Sequence, residues 1–178
     1  MSLHGQSKDA LAKSTAGGWR YDVNAAGFKY NMTDIHASLG LVEIGRYKEN
    51  LTKRKEIFER YNEAFGKYDW AQLPVFKTDD MISSYHLYML RIQNCTEEQR
   101  NAIMKKIAVE QIAVNVHFIP IPMLSHYKER GFDIGDFPNA FANYSCEISL
   151  PVFYDITEEQ IDRVVNSMIT SVETILEA

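Results

Sequence analysis

Apolar positions along this chain change their period several times, and each change marks an element. From Thr33 onward Ala37, Leu41, Ile44, Tyr47, Leu51, Phe58, Tyr61 and Phe65 step by three, four or seven, with Arg54 interrupting the stripe once. This spacing predicts a helix from about Thr33 to about Phe65, with a bend near Gly45 or Asn50. At ~1.5 Å per residue it would reach roughly 50 Å, long for a compact domain, so one end is expected to pack on something outside the domain. "YHLYMLRI" (Tyr85–Ile92) is rich in β-forming residues and predicts a strand. Thr96 with Gln99 three residues on is a capping box, and its helix should run to about Glu110. "AVNVHF" (Ala113–Phe118) predicts a second strand, ended by Pro120 and Pro122. A short helix over Asn139–Ile148 then leads into the strand "ISLP", stopped by Pro151. Thr157 and Gln160 repeat the capping box, and Ile161, Val164, Val165, Met168, Val172 and Ile175 make one helical face.

Residues 1–26 behave differently. Small residues in "STAGGW" and "NAAG" keep no period, so this stretch reads as an arm, and Met1-Ser2-Leu3 as a cloning remnant. Residues 27–178 form the predicted domain. Strands and helices mix and the strands are few, which predicts a small α+β domain with helices covering one face of its sheet.

Composition narrows the function. The chain has 178 residues with 46% hydrophobic content, enough for a core, and a net charge of −5. No basic block stands out, which argues against nucleic acid as a partner. Cys95 and Cys146, the only two cysteines, show no paired ligand spacing and suit a reducing compartment, so a cytoplasmic location is expected. No run is long enough to cross a bilayer, and no membrane partner is expected.

Five histidines invite a metal hypothesis, but His117 and His126 are separated by a proline-containing loop. No carboxylate or cysteine shares a metal-type spacing with them, so structural or surface histidines explain them better. G-x-S-x-G, G-x-G-x-x-G and the P-loop are all missing, which sets aside an elbow-type hydrolase and the glycine-rich phosphate cradles. The stretch "GFKYNMTDI", from Gly27, remains. Capping explains Thr33 or Asp34, but not Lys29 or Asn31. Both could meet an anion near the helix N-terminus. The plainer account is a solvated lysine and a turn asparagine.

The segments "HGQSKDA", "AGGWRYDV", "GFKYNMTDIHASLGLVEI", "SSYHLYMLRI", "VNVHFIPIPMLSHY" and "FPNAFANYSCEISLPVFYDITEEQIDRVV" resemble, in order, the C-terminal half of the DegT/StrS family. These are pyridoxal-phosphate-dependent aminotransferases acting on nucleotide-linked keto-sugars, in glycan pathways such as cell-surface polysaccharide synthesis. The resemblance implies the small C-terminal domain of the aspartate-aminotransferase-like (fold type I) class. It implies a homodimer in which the loop matching "GFKYNMTDI" reaches the partner's cofactor phosphate. Gly27 would let that loop turn, and Asn31, preferred over Lys29, would present the polar group. Relatives with a "GYNYR"-like motif carry asparagine where Lys29 stands. His86, His117 and His126 match segments near the sugar-nucleotide pocket, although His86 could equally satisfy a core hydrogen bond.

The family's cofactor lysine and the acid that pairs with the pyridinium nitrogen match nothing in this chain. The expectation is a fragment with no catalytic residue of its own, inactive and without bound cofactor when alone. The parent would take pyridoxal phosphate, a nucleotide sugar and an amino donor such as glutamate. The alternative is a non-catalytic sugar-nucleotide-binding or dimerisation module. An in-frame upstream sequence carrying the lysine loop would favour the fragment, and a native start codon near His4 the module.

Overall fold

The computed structural model describes residues 4–7 and 21–177. It divides into two compact units, residues 1–47 and 48–178, and helix α1 (Asp34–Phe65) contributes to both. Most of the expected arm lies outside the described residues.

In the first unit, an antiparallel bridge joins Gln6 to Val23. Ser7 N–H donates to the Asp22 carbonyl at 2.8 Å, and Asn24 N–H to the Gly5 carbonyl at 3.0 Å. Thr33 caps α1, its hydroxyl oxygen accepting from His36 N–H at 3.3 Å. The apolar stripe of α1 is buried only at its far end. Ile57, Phe58, Tyr61 and Phe65 are buried, whereas Leu41, Ile44 and Tyr47 are exposed.

The second unit is built on three antiparallel strands in the order β1 (Ala71–Gln72), β2 (Tyr88–Ile92), β3 (Glu147–Leu150). Register assigns the two faces of the sheet. Tyr88 pairs with Leu150 and Leu90 with Ile148, so these four side chains share one face. That face meets Phe58 and Tyr61, whose rings stand 5.0 and 4.9 Å from that of Tyr88. Tyr88 donates its hydroxyl to Asn62 Oδ1 at 2.7 Å, and Tyr61 donates to the Pro151 carbonyl at 3.0 Å, so neither buried phenol is left unpaired.

Helices α2 (Glu97–Val109) and α5 (Glu158–Leu176) complete the core with Ile103, Ile107, Ile161, Val164, Met168 and Val172. Both expected capping boxes form, at Thr96/Gln99 and Thr157/Gln160. Between them lie a short helix α3 (Ser125–Lys128) and α4 (Pro138–Cys146). The small antiparallel sheet with helices agrees with the expected α+β class.

Two strands differ from expectation. Tyr85 adopts φ of 53°, outside extended geometry, so β2 begins only at Tyr88. The strand expected over Ala113–Phe118 shrinks to one bridge, Asn115 to Ser149. Its ladder stops because His117 N–H donates to the Glu147 side chain, at Oε2 and 2.9 Å, instead of to a strand carbonyl.

Candidate functional site

The second face of the sheet is polar. Arg91 stands opposite Glu147 and Met89 opposite Ser149, so all four side chains leave the sheet on the side away from the aromatic core. Two clefts open here. The first, of about 510 Å³, is lined by Met89, Arg91, His117, Phe118, Asn143 and Glu147 among others. The second, of about 390 Å³, includes Arg54, His86, Asn115, His117 and Ser149. His117 belongs to the wall of both.

The polar groups around His117 are ordered. His117 Nδ1 lies 2.8 Å from Ser149 Oγ, and Ser149 Oγ donates in turn to Glu147 Oε1. Glu147 and Ser149 are each only 4% exposed. Burial pushes the Glu147 carboxyl above the ordinary carboxylate range. The Ser149 hydroxyl, the His117 N–H, the His117 ring and the Arg100 guanidinium pull the other way. Arg100, 1% exposed, is anchored under this network. It donates to the carbonyls of Tyr144 at 3.0 Å and Glu147 at 3.2 Å, and lies 4.8 Å from the Tyr144 ring centroid.

Arg54, the residue that breaks the apolar stripe of α1, reaches the edge of the second cleft. Its Nη1 lies 3.5 Å from each of the carbonyl oxygens of Tyr85, His86 and Val152. It thereby supplies a donor where the irregular segment before β2 meets the one after β3.

The expected site residues fall in three places. His86 is exposed and joins His117 in lining the second cleft. His126 sits on α3 with its Nδ1 2.8 Å from Arg130 Nη1, and lines neither cleft. Lys29 and Asn31 lie in the first unit, where the Lys29 ammonium donates to Asn31 Oδ1. Asn31 Oδ1 is thus occupied, which leaves the amide nitrogen, a donor, free to face outward. Both side chains are exposed, and Phe28 stacks on Tyr30 beside them, with ring centroids 5.2 Å apart. The loop therefore offers a cation and an amide donor and suits an anion such as a phosphate. Among the described residues, no group of three or more His, Cys, Asp or Glu side chains could hold a metal.

Glu147, Ser149, Asn115 and Arg54 also line these clefts, and the sequence analysis did not single them out as candidates. For Glu147 and Ser149 a signal was present. In "EISL" the polar residues alternate with apolar ones, which places them on one face of a strand.

Residues 1–169 match the DegT/DnrJ/EryC1/StrS aminotransferase family. The spore coat polysaccharide biosynthesis protein SpsC of Bacillus subtilis is 34% identical over 172 residues, covering 94% of this chain and 44% of that protein. Spr1654 of Streptococcus pneumoniae, described as a sugar aminotransferase, superposes in its PMP form with a TM-score of 0.83 at 42% identity. That match covers 98% of this chain and 43% of the other. Its PLP form matches with a TM-score of 0.82 at 38% identity, covering 98% and 42%. The chain thus spans less than half the length of each of these relatives.

Proposed function

The chain belongs to the DegT/DnrJ/EryC1/StrS aminotransferase family, and from that premise we propose that it is the C-terminal part of a pyridoxal-phosphate-dependent enzyme. The parent transfers an amino group, with glutamate as donor, to a keto-sugar carried on a nucleotide, for the synthesis of a surface polysaccharide or related glycan. One observation carries this reading. Nearly the whole chain superposes on less than half of a protein described as a sugar aminotransferase, at 42% identity. The name of SpsC supports the glycan assignment.

Pyridoxal phosphate, when bound, supplies the electron sink that amino transfer needs. This chain's own residues bind and orient. Lys29 and Asn31 would hold the cofactor phosphate, the ammonium by charge and the amide by donation. On the family resemblance, the phosphate is that of a second subunit, so the parent works as a homodimer. His117 and His86 would line the sugar pocket, and the clefts beside β2 and β3 are where the geometry supports it. His126 has no such support. The lysine that anchors the cofactor would belong to the part of the parent that this chain does not span, and this chain alone would be inactive. No helix among the described residues is long and apolar enough to cross a membrane, in keeping with an enzyme of nucleotide sugars working in the cytoplasm.

The test is amino transfer by the parent-length protein, loaded with pyridoxal phosphate, from glutamate to a panel of nucleotide keto-sugars. Formation of an amino sugar is expected with at least one member of the panel. Turnover of free amino acids and keto acids only, with no sugar accepted, would refute the assignment.

A further inference from the structure

His117, Ser149 and Glu147 form a chain of contacts whose proton positions can be worked out. The Ser149 hydroxyl carries one proton and touches two partners, Glu147 Oε1 and His117 Nδ1. With the ring neutral, two arrangements satisfy it. In the first, Glu147 is ionised, Ser149 donates to it, and His117 donates from Nδ1 to Ser149. Nε2 is then a bare acceptor. In the second, Glu147 is protonated and donates to Ser149, Ser149 donates to Nδ1, and the ring proton moves to Nε2.

Asn115 distinguishes them. Its Oδ1 accepts the Val116 N–H at 2.8 Å, and this fixes which way the amide faces. The amide nitrogen, which can only donate, is therefore the atom 3.4 Å from His117 Nε2. A donor facing Nε2 requires a lone pair there, which is the first arrangement. Glu147 agrees with it. Each of its oxygens accepts one hydrogen bond, from Ser149 Oγ–H and from His117 N–H, and Arg100 donates to its backbone carbonyl. His117 is thus tied to Glu147 twice, through its backbone and through its ring.

We propose that Glu147 and Ser149 are positioning residues that hold His117 with its proton on Nδ1, so that Nε2 faces the clefts as an acceptor for a hydroxyl group of the sugar substrate. The inference rests on the sugar-aminotransferase reading and deepens it. The Asn115 contact is long, so a sugar hydroxyl can replace it with a shorter bond. A phosphate or carboxylate at the same place would meet a lone pair and be disfavoured, so this ring selects for the sugar rather than for the anionic end of the ligand.

The tautomer is read directly from long-range proton–nitrogen correlations of the His117 ring, recorded on the 178-residue chain about two pH units above the ordinary histidine pKa. The expected result is a single species protonated on Nδ1. Ser149→Ala should shift the proton toward Nε2, and Ser149→Thr, which keeps the hydroxyl, should restore it. Glu147→Ala should shift it as Ser149→Ala does; if that variant does not fold, the serine pair decides alone. A ring protonated on Nε2 in the unaltered chain, or an unchanged spectrum in Ser149→Ala, overturns the proposal. In the parent enzyme Ser149→Ala should raise KM for the sugar about tenfold with kcat within about twofold, and Ser149→Thr should reverse it. An active parent whose sugar KM ignores Ser149→Ala overturns the substrate contact and leaves the assigned activity standing. A parent that aminates no sugar fails the assigned activity and the substrate contact together, while the tautomer result still decides the positioning role.

Discussion

Gly27 lies against Gly5 so closely that a Cβ on Gly27 would stand 2.2 Å from the Gly5 nitrogen. A Cβ on Gly5, whose φ is +73°, would stand 2.0 Å from the Ala25 carbonyl oxygen. The two glycines are therefore needed for close approach of two backbone segments, and Gly5 also for its left-handed conformation. The turning role that the family resemblance gives Gly27 becomes a packing role. Gly27→Ala should separate the segments and release the amides of Ser7 and Asn24, which donate to Asp22 and Gly5. Hydrogen exchange at those two amides should speed up at least tenfold, while the amides of α5 keep their protection. Unchanged exchange at Ser7 and Asn24 would show that the loop tolerates a side chain there.

The Lys29–Asn31 contact leads to a paired test in the parent enzyme. Asn31→Ala should weaken cofactor retention about tenfold or more, the loss expected for a hydrogen bond to a charged group. Lys29→Ala removes both a charge and the donor that occupies Asn31 Oδ1, so it should weaken retention as well. Equilibrium dialysis of the cofactor checks both. If only Lys29→Ala has an effect, the lysine makes the phosphate contact and Asn31 does not. If neither does, "GFKYNMTDI" serves only as a helix entry.

Val172 is fully buried and Val164 is 5% exposed, both on the inward face of α5. Val172→Ala should cost about 2 kcal/mol through lost contact and a residual cavity. Val172→Asp or Val164→Asp places a carboxylate with no partner in the same apolar layer and should unfold the unit. Urea titration followed by circular dichroism separates the two classes. An aspartate variant that melts like the parent chain would mean that the inward face of α5 has been misidentified.

How much of this was legible beforehand depended on whether the signal was local. The capping boxes at Thr96 and Thr157, and the face of α5, depend on residues three or four apart, and all three appear as expected. Arg54 looked like a flaw in an apolar stripe because its partners, the carbonyls of Tyr85, His86 and Val152, are 31, 32 and 98 residues away. His117 seemed to lie in a strand because its neighbours Val114, Val116 and Phe118 favour one. Its N–H instead meets a carboxylate 30 residues on. The alternation in "EISL" puts Glu147 and Ser149 on one face, but that Arg91 and Met89 stand opposite them there emerges only from the β2–β3 register. Cys95 and Cys146, distant in sequence, line one cleft for the same reason.

Arg100 shows what the buried network requires of its support. Its guanidinium reaches two carbonyls, the Asn101 Oδ1 at 2.9 Å and the Tyr144 ring, all from a site that is 1% exposed. Lysine keeps the charge but cannot address these acceptors with one planar fork. Arg100→Lys should therefore destabilise the chain by about 3 kcal/mol, mostly from acceptors left unpaired. A loss under about 0.5 kcal/mol in urea denaturation would show that water replaces the fork.

Glu147 gives the stability a pH dependence whose sign can be fixed. Burial raises its pKa above the ordinary 4.5, so between that value and the folded pKa the folded chain holds a proton that the unfolded chain has released. Stability contributed by this group is present below the ordinary value and lost as pH rises through the folded pKa. Glu147→Gln has no proton to lose. The stability of the unaltered chain minus that of Glu147→Gln should therefore fall as pH rises from the ordinary carboxylate range through the raised folded pKa, then level off. The variant keeps one acceptor oxygen and turns an amide N–H2, a donor, toward the other of Ser149 and the His117 N–H, but that loss offsets the curve without changing its direction. Urea midpoints for both proteins, taken at half-unit steps of pH, supply the difference. A difference that rises with pH would mean that the hydrogen bonds from Ser149 and His117, with Arg100, outweigh burial and hold the carboxylate below its ordinary range.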